Sequence, residues 1–502
     1  MTAAPDSLKQ RLYETVLASP GDREAITGLL AGSRVTLDYQ GLRRALSGLQ
    51  PALASTTAPV GILANRSVEA CTCVLACFLA GVPFVPLNPG FPAHRLERIA
   101  QLAGIGHVLH ERTHASLAGL LGVPTTDASA QVQQASDDQF DTLFSGTDTV
   151  DRLAYQMFTS GSTGDPKGVP ISAGNLSAYV SGITDLIRFY PGERFSQTFD
   201  LSFDLAMHDI FVCFASGGTL AVATDMNLLM PGAFIDKERL DVWFSVPMLA
   251  TIANRAAALH AEKHRLRLAL FCGEALAMDT AITFDRAFVR EQGELWNLYG
   301  PTEATIALTA RNIGEVAADL SVAPIGTPFG HSRVALQQDN GDVLPDPAAG
   351  AEGELLLGGP QVFTGYQPPV EKQVFIDHQG MRYYRSGDWV HWDGHEMHYV
   401  GRIDQQVKVR GYRIELGEIE ATFRRIYGVE AAAAVAVTRA DTVHICLAYQ
   451  DADEVTDLTL LANELPDYML PHATRRMDEL PLNANGKVDR KVLAGLPWFN
   501  ES

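Results

Sequence analysis

Short apolar runs alternate with longer helical patterns through the first two thirds of the sequence. Residues 60–64 are typical of a strand, residues 68–80 of a helix and residues 83–87 of the next strand. Similar units recur around residues 218–224 and 266–272. A strand–helix–strand order of this kind predicts a mostly parallel sheet that is covered by helices. We therefore expect an α/β protein.

The chain has 502 residues, which is too long for a single hydrophobic core and predicts at least two domains. Between about residues 325 and 400 the pattern changes to closely spaced strands, which indicates a smaller β-rich subdomain. After Asp404 strands and helices alternate again, with a strand expected at 408–414 and a helix at 416–426. Two further strands are expected at 432–437 and 443–449, in an α+β domain that ends near Leu496.

The composition excludes several classes of partner. A formal net charge of −20 disfavours binding to nucleic acid or to an anionic membrane, since phosphates would be repelled. No apolar run approaches the roughly 20 residues that span a bilayer, and the N-terminus has no signal-peptide pattern, so we expect a cytoplasmic protein. The spacing of Cys71, Cys73 and Cys77 fits a buried helix better than a metal site.

The stretch Phe-Thr-Ser-Gly-Ser-Thr-Gly-Asp-Pro-Lys-Gly at 158–168 follows an apolar-rich run at 153–157. This pattern predicts a strand that leads into a loop whose N–H groups and hydroxyls surround a polyphosphate. It is not a Walker loop, because Lys167 is followed by Gly168 and no hydroxyl stands beside the lysine. A glycine-rich surface loop would explain the glycines, but not four hydroxyls together with a terminal lysine.

This loop resembles the ATP-phosphate loop of the adenylate-forming superfamily, which includes acyl-CoA synthetases, luciferases and the amino-acid adenylation domains of peptide synthetases. Further motifs of that superfamily follow in order, and the resemblance covers nearly the whole chain. They are Tyr299-Gly300-Pro301-Thr302-Glu303, Tyr384-Arg385-Ser386-Gly387-Asp388, Gly401-Arg402-Ile403-Asp404, Lys408-Val409-Arg410-Gly411-Tyr412 and Asn485-Gly486-Lys487-Val488-Asp489-Arg490.

The resemblance implies a large N-terminal domain at 1–402 with two helix-covered sheets and a β-rich subdomain. A small, mobile α+β C-terminal domain at 403–502 would turn about a hinge at Asp404. The short polar join at 401–406 suits such a hinge.

The same resemblance implies ATP and Mg²⁺ as cofactors, with Lys487, Lys167 and Glu303 as catalytic residues. Glu303 would be the Mg²⁺ ligand, because Mg²⁺ prefers one or two carboxylates together with phosphate oxygens. Lys487 would bridge the substrate carboxylate and the α-phosphate. The implied nucleotide-binding residues are Thr159, Ser160, Gly161, Ser162, Thr163, Gly164, Lys167, Tyr299, Thr302, Asp388 and Arg402.

The segment at 199–208 predicts which carboxylic acid is activated. In amino-acid adenylation domains a Phe-Asp pair at this place supplies the carboxylate that binds the substrate ammonium, and Phe203-Asp204 aligns with it. A desolvated carboxylate–ammonium pair loses roughly 2–5 kcal/mol when one partner is removed, so Asp204 favours amino acids over fatty or aryl acids. Asp200, four residues earlier, is a competing candidate whose downstream spacing fits less well.

The pocket residues carried over by resemblance are Asp204, Leu205, His208, Ser245, Leu270, Cys272, Leu298, Ile306, Ala307 and Lys487. The run at 271–274 resembles the D-alanyl carrier protein ligases, and bulky walls favour alanine of either hand, glycine or serine. Proline stays open. The alignment of the segment 242–247 with the family motif leaves room for a shift of one residue at Ser245. His208 departs from the apolar residue usual in those ligases, which puts D-alanine in doubt and fits contact with a polar side chain.

Only a few residues follow Arg490, so we expect a free-standing enzyme that loads a separate, phosphopantetheinylated carrier protein. An acid:CoA ligase with the same site is one alternative. A catalytically inactive binding homologue is another, although intact Lys167, Glu303, Asp388 and Lys487 disfavour it.

Overall fold

The computed structural model describes residues 7–134, 140–144, 149–159, 166–256, 265–316, 320–371, 373–404, 406–409, 411–439, 442–450, 455, 457–482 and 488–498. The chain forms two compact units. The first comprises Met1–Pro89, Ala100–Met157 and Gly168–Ile403, and the second comprises Gly90–Ile99, Phe158–Lys167 and Asp404–Ser502.

Up to Arg402, helices and strands alternate as expected through the first two thirds of the chain, and strands then follow one another. The α-helices there are α1 (Leu8–Ala18), α2 (Tyr39–Ala54), α3 (Val68–Ala80), α4 (Ala93–Ala103), α5 (Ala115–Leu120), α6 (Ala128–Gln134), α7 (Phe140–Leu143), α8 (Ala173–Leu186), α9 (Leu205–Ala215), α10 (Asp225–Leu229), α11 (Pro231–Glu238), α12 (Pro247–Ala256) and α13 (Met278–Phe288). The strands are β1 (Glu24–Leu30), β2 (Ser33–Asp38), β3 (Val60–Leu63), β4 (Phe84–Leu87), β5 (His107–His110), β6 (Thr125–Asp127), β7 (Leu153–Thr159), β8 (Lys167–Ser172), β9 (Arg194–Gln197), β10 (Thr219–Val222), β11 (Val242–Ser245), β12 (Leu266–Phe271), β13 (Val289–Tyr299), β14 (Thr309–Asn312), β15 (Thr327–Pro328), β16 (Arg333–Gln337), β17 (Val343–Leu344), β18 (Ala351–Gly358), β19 (Phe375–His378), β20 (Met381–Trp392) and β21 (Met397–Arg402).

Three sheets organise these strands. One has nine strands in the order β15-β14-β13-β12-β11-β9-β10-β1-β2, and another has six in the order β6-β5-β3-β4-β7-β8. The six adjacent strands from β13 to β1 pair in parallel, while β2 and β14 pair antiparallel near the edges. The third sheet, β17-β16-β18-β20-β19 with β21 on β20, is antiparallel. The predicted α/β class and β-rich subdomain are confirmed.

Two apolar helices lie in the core of the first unit. Every residue of α9 is buried, as are the first 12 residues of α3, including its three cysteines. Helices that are apolar on all sides are buried on all sides. The ring of Phe78 in α3 packs edge-on against Phe211 in α9, with 4.9 Å between centroids. This packing fixes the position at which α9 begins, directly after Asp204.

Beyond Asp404 the elements are β22 (Gln406–Val409), β23 (Tyr412–Glu415), α14 (Leu416–Tyr427), β24 (Ala432–Arg439), β25 (Thr442–Tyr449), α15 (Thr459–Ala462), β26 (Ala473–Arg476) and α16 (Arg490–Ala494). The single strand predicted at 408–414 is wrong. It is a hairpin of β22 and β23, because Gly411 has a φ of +83° and reverses the chain. Phe423 of α14 packs against Tyr449 of β25, with ring centroids 5.2 Å apart. Among the described residues, no helix has both the length and the apolar character required to cross a membrane.

Candidate active site

Asp204 lies at the beginning of α9 and is only 6% exposed. Its Oδ2 accepts a hydrogen bond from the backbone N–H of Ile306 at 3.0 Å. Burial raises the pKa of this carboxyl to about 6, and the negative charge of Glu303 also raises it. The N–H of Ile306 and the hydroxyl of Thr302 act in the opposite direction. The structure therefore places a buried carboxyl group of raised pKa where the sequence predicted the ammonium site.

The loop that supplies this N–H has an unusual backbone. Thr305 and Ile306 have φ values of +56° and +73°, which are costly for β-branched residues. Gln361 holds the loop, because its Nε2 donates to the carbonyl of Ala307 at 2.7 Å and its backbone carbonyl accepts from the Thr305 hydroxyl at 2.5 Å. A Cβ at Gly300 would lie 2.6 Å from the Cα of Ala307, so this close approach requires glycine.

Asp200 has a different environment. Its Oδ1 accepts from the backbone N–H and the hydroxyl of Ser202, at 2.8 and 2.5 Å, within a local turn. Its Oδ2 accepts from the side-chain amide of Asn88 at 2.9 Å. These contacts assign Asp200 a role in shaping the turn before α9, while Asp204 lies beside Ile306.

Most of the predicted pocket residues belong to one buried apolar cluster, namely Leu205, Leu270, Cys272, Leu298, Ile306 and Ala307. Gly273, with a φ of +93°, brings the backbone close to Leu205 and to one further apolar side chain, Val246. A Cβ there would lie 3.3 Å from both Leu205 and Val246. Val246 was not predicted, although the strand period of two across 244–246 offered that signal.

Ser245 is not brought into this set. Its hydroxyl accepts from the indole N–H of Trp243 at 2.9 Å and donates to the carbonyl of Val246 at 3.0 Å. Trp243 belongs to a second apolar cluster, whereas Phe244 packs against His208 with ring centroids 4.5 Å apart. Because side chains alternate along β11, Ser245 points to the sheet face opposite His208.

His208 lies one helical turn after Asp204 and is completely buried. Its Nδ1 is 2.6 Å from the hydroxyl of Tyr179 in α8. Burial lowers the pKa of the imidazole to about 3, so the ring is neutral near pH 7. Tyr179 was not singled out from the sequence, because no motif accompanies it.

Two of the predicted nucleotide-binding residues, Tyr299 and Arg402, form hydrogen bonds with a third, Asp388. Its Oδ2 accepts from the Tyr299 hydroxyl at 2.5 Å and its Oδ1 from Arg402 at 2.9 Å. The Asp388 and Arg402 side chains are 3% and 10% exposed. Burial, with the nearby charge of Asp388, raises the pKa of Tyr299 well above its usual value, so the phenol stays protonated. Each carboxylate oxygen has two lone pairs, so Asp388 keeps acceptor capacity for a pair of hydroxyl groups.

Glu303 lies in a short 3-10 turn, Thr302–Ala304, and is 1% exposed. Its Oε1 accepts from the hydroxyl of Tyr366 at 2.5 Å, which fixes the carboxylate plane. Its charge raises the pKa of Asp204, which shows that two carboxyl groups share this region. A single oriented carboxylate fits the protein share of a Mg²⁺ site that is completed by phosphate oxygens and water.

Three further predicted residues that the structure describes are Thr159, Lys167 and Asp404. Thr159 ends β7 and Lys167 begins β8. The Oδ1 of Asp404 accepts from the backbone N–H of Gln406 at 3.1 Å. The other predicted residues lie outside the described residues; they are Ser160, Gly161, Ser162, Thr163, Gly164 and Lys487.

Comparison with known proteins agrees with this arrangement of motifs. The family model described as AMP-binding enzyme matches residues 13–367. The chain belongs to this family. A protein named D-alanine--D-alanyl carrier protein ligase from Bacillus licheniformis is 29% identical over 480 residues, which cover 90% of this chain and 91% of that protein. A protein of the same name from Bacillus mycoides is 30% identical over 462 residues, with 87% and 88% covered.

Among solved structures, the Vibrio cholerae adenylation domain AlmE in complex with glycyl-adenosine-5'-phosphate is similar, with a TM-score of 0.87 and 27% identity. The match covers 98% of both chains. The chain is thus an ATP-binding, adenylating ligase of the AMP-binding enzyme family, with the large N-terminal and small C-terminal domains of adenylation enzymes.

Proposed function

We propose that this enzyme activates a small amino acid with ATP and transfers it to a carrier protein. In the first step a substrate carboxylate oxygen bonds to the α-phosphorus and pyrophosphate leaves. In the second step the phosphopantetheine thiol of a separate carrier protein attacks the acyl carbon, AMP leaves and a thioester forms. The observation that carries the proposal is the buried carboxyl of Asp204, which directly precedes the apolar residue Leu205 and accepts a hydrogen bond from the backbone N–H of Ile306.

A buried carboxylate is stable only when a cation or several donors compensate it. Asp204 receives the N–H of Ile306, and its pKa is nevertheless raised to about 6. A substrate ammonium supplies the missing positive charge. An acid without an ammonium would leave that charge uncompensated, which is why the site favours amino acids.

The nucleotide would be bound by the group around Asp388. In this proposal Asp388 accepts from the ribose hydroxyls, Tyr299 packs on the adenine, and Arg402 adds positive charge near the ribose and phosphates. Glu303 would hold Mg²⁺, which supplies charge neutralisation to the phosphates. Thr159, Lys167 and the loop between them would surround the phosphates, and Lys487 would join the substrate carboxylate to the α-phosphate.

The relatives support an amino acid as the substrate. Two are named for D-alanine and a carrier protein, and one was solved with glycyl-adenosine-5'-phosphate. The walls formed by Leu298 and Ile306 favour small substrates, so glycine, serine and alanine of either hand lead, and proline is retained.

The deciding experiment is ATP–pyrophosphate exchange across a panel of D- and L-amino acids with Asp204→Asn and Asp200→Asn. We expect Asp204→Asn to lower kcat/KM for the best amino acid at least about 30-fold, since a desolvated ion pair is broken. Asp200→Asn is the matched control, because an amide oxygen can still accept the bonds of its turn, and its kcat/KM should stay within a few-fold.

Two outcomes would contradict the proposal. Unchanged exchange in Asp204→Asn, together with thioester formation on coenzyme A from an acid without an amino group, would indicate an acid:CoA ligase. Absence of exchange with every amino acid and acid would indicate an inactive binding homologue.

A further inference from the structure

The imidazole of His208 is a polar group that is buried one helical turn after Asp204. The two residues are four apart at the start of α9 and share one face of the helix. Aromatic rings pack around the imidazole, with Phe244 at 4.5 Å and Phe189 at 6.3 Å between centroids. A polar ring in such surroundings needs hydrogen-bond partners for both of its nitrogens.

Only one of the two imidazole nitrogens of His208 has a hydrogen-bond partner among the described residues. Nδ1 is bonded to the Tyr179 hydroxyl at 2.6 Å, whereas Nε2 is buried without a hydrogen-bond partner among the residues that the structure describes. A buried polar atom left without a partner carries a free-energy cost, so its presence needs an explanation. A polar group of a bound ligand would satisfy it.

Neighbouring groups place this pair beside the proposed substrate. Besides burial, acidic neighbours that include Cys272 and Asp204 raise the pKa of Tyr179, whose hydroxyl is bonded to His208 one helical turn after Asp204. The hydroxyl of Tyr155 is a second buried polar atom without a described partner, and Asp204 raises its pKa as well. The Nε2 of His208 and the hydroxyl of Tyr155 are therefore two buried polar atoms near Asp204 for which the described residues offer no hydrogen-bond partner.

We propose that the His208–Tyr179 pair recognises a hydroxyl on the β-carbon of the substrate, so that the preferred substrate is a small hydroxy amino acid of the serine type. This inference rests on the proposed function. The imidazole is neutral, so the pair fits an uncharged hydroxyl and disfavours a charged side chain. Tyr179 acts as a positioning residue, because its hydroxyl fixes the imidazole through Nδ1.

The test compares serine with 2-aminobutyrate, in which a methyl group replaces the hydroxyl, for both hands of each amino acid in ATP–pyrophosphate exchange. We expect kcat/KM for serine of the preferred hand to exceed that for 2-aminobutyrate at least about tenfold, since a site built for a hydroxyl rejects the analogue that lacks it. His208→Phe should bring this ratio close to one. Tyr179→Phe should lower it several-fold, mainly through KM for serine.

Tyr39→Phe is the matched control. It removes a buried phenol hydroxyl that donates to the carbonyl of Gly218 at 2.7 Å, so it reproduces the loss of stability without touching the pair. Its serine to 2-aminobutyrate ratio should equal that of the wild type.

Equal use of serine and 2-aminobutyrate by the wild type, or a preference for alanine or glycine over serine, would overturn this inference and leave the proposed function standing. An unchanged ratio in His208→Phe would also overturn it. Failure of every amino acid to support exchange would overturn both this inference and the proposed function.

Discussion

At the scale of single residues, burial and function make opposite demands on Asp204. Burial favours the neutral carboxyl, whereas the proposed substrate ammonium requires the carboxylate. The groups that face it are Thr302, Glu303 and the N–H of Ile306, with the phenols of Tyr155 and Tyr179 nearby. Burial raises the pKa of both phenols, so they stay protonated, and the carboxyl group of Asp204 carries the ionisation that matters near neutral pH.

This conflict predicts a pH dependence. The pKa of Asp204 is raised from 3.8 to about 6, so the free enzyme holds a proton there below pH 6 and must release it before the ammonium binds. We expect kcat/KM for the amino acid to be level above about pH 6.5 and to fall roughly tenfold per pH unit well below 6, because kcat/KM reports the free enzyme. Pyrophosphate exchange between pH 4.5 and 8 measures this.

The control for that profile is Asp204→Asn, whose residual activity should lose the acidic limb. The same shift has a consequence for stability. Because the folded pKa exceeds the unfolded value, this group stabilises the fold when protonated, and that contribution is lost as pH rises from about 4 to 6. A kcat/KM level down to pH 5 would contradict the predicted role.

At the scale of elements, the loop from Thr302 to Ala307 joins the substrate and nucleotide groups. It follows β13, which ends at Tyr299, and it places Glu303 within a short 3-10 turn and the N–H of Ile306 two residues after the end of that turn. Two consecutive positive φ values persist because Gln361 bonds the loop from outside. The geometry of the substrate site thus depends on Gln361, a residue with no predicted role in binding.

Gln361→Leu should therefore impair the site without removing any binding group. The carbonyl of Ala307 and the hydroxyl of Ser332 would lose their partners, at a cost of about 1–3 kcal/mol in the free energy of unfolding. We expect KM for the amino acid to rise roughly tenfold, since a loose loop no longer fixes the N–H that orients Asp204. Urea unfolding and exchange kinetics measure the two effects.

Ser332→Ala is the matched partial variant, because it removes one bond to Gln361 and leaves the bond to Ala307. Its effects should be smaller on both measurements. A Gln361→Leu enzyme that is destabilised but keeps the KM of the wild type would show that the bond serves folding alone.

Local patterns predicted much of the fold. Apolar spacing predicted α3 at residues 68–80 as observed, and the alternation of short apolar runs with helices predicted a mostly parallel sheet, while the presence of two such sheets was implied by the resemblance. The strand expected at 408–414 was wrong, because apolar spacing does not reveal that Gly411 takes a positive φ and divides it.

The site was less accessible to sequence reasoning. The resemblance indicated Asp204, but its contact with Ile306 joins residues 102 positions apart through a backbone group, which no side-chain pattern encodes. The bond between Tyr179 and His208 is hidden for a similar reason, since it depends on how α8 packs against α9. The face on which the Ser245 side chain lies could not be read from the sequence, because all four residues of its strand are buried and show no polar alternation.

At the scale of the whole molecule, the predicted site residues are divided between the two compact units. Asp204, Glu303 and Asp388 belong to the first unit, whereas position 487 falls within the sequence range 404–502 assigned to the second. The boundary between the units falls between Ile403 and Asp404. We propose, on the resemblance, that the second unit turns about Asp404 between the two half-reactions.

This arrangement predicts that one substitution separates the half-reactions. Lys487→Ala should abolish formation of the adenylate, because the positive charge that joins carboxylate and α-phosphate is lost. Transfer from a supplied aminoacyl-adenylate to the carrier protein should remain within a few-fold of the wild type. Pyrophosphate exchange and single-turnover loading of the carrier measure the two steps separately.

Lys491→Ala is the control, since it removes an exposed lysine from α16 and should affect neither step. Equal loss of both steps in Lys487→Ala would contradict a role confined to adenylation.

The hydrogen bond to Asp204 comes from the backbone N–H of residue 306, which bears on how the substrate specificity of such enzymes evolves. An amide hydrogen survives every replacement at position 306 except proline, so mutation can widen or narrow the cavity there while the anchoring charge stays in register. Selection for a new monomer would then act on wall size alone, and a library randomised at this position should yield altered substrate preference more often than inactive protein.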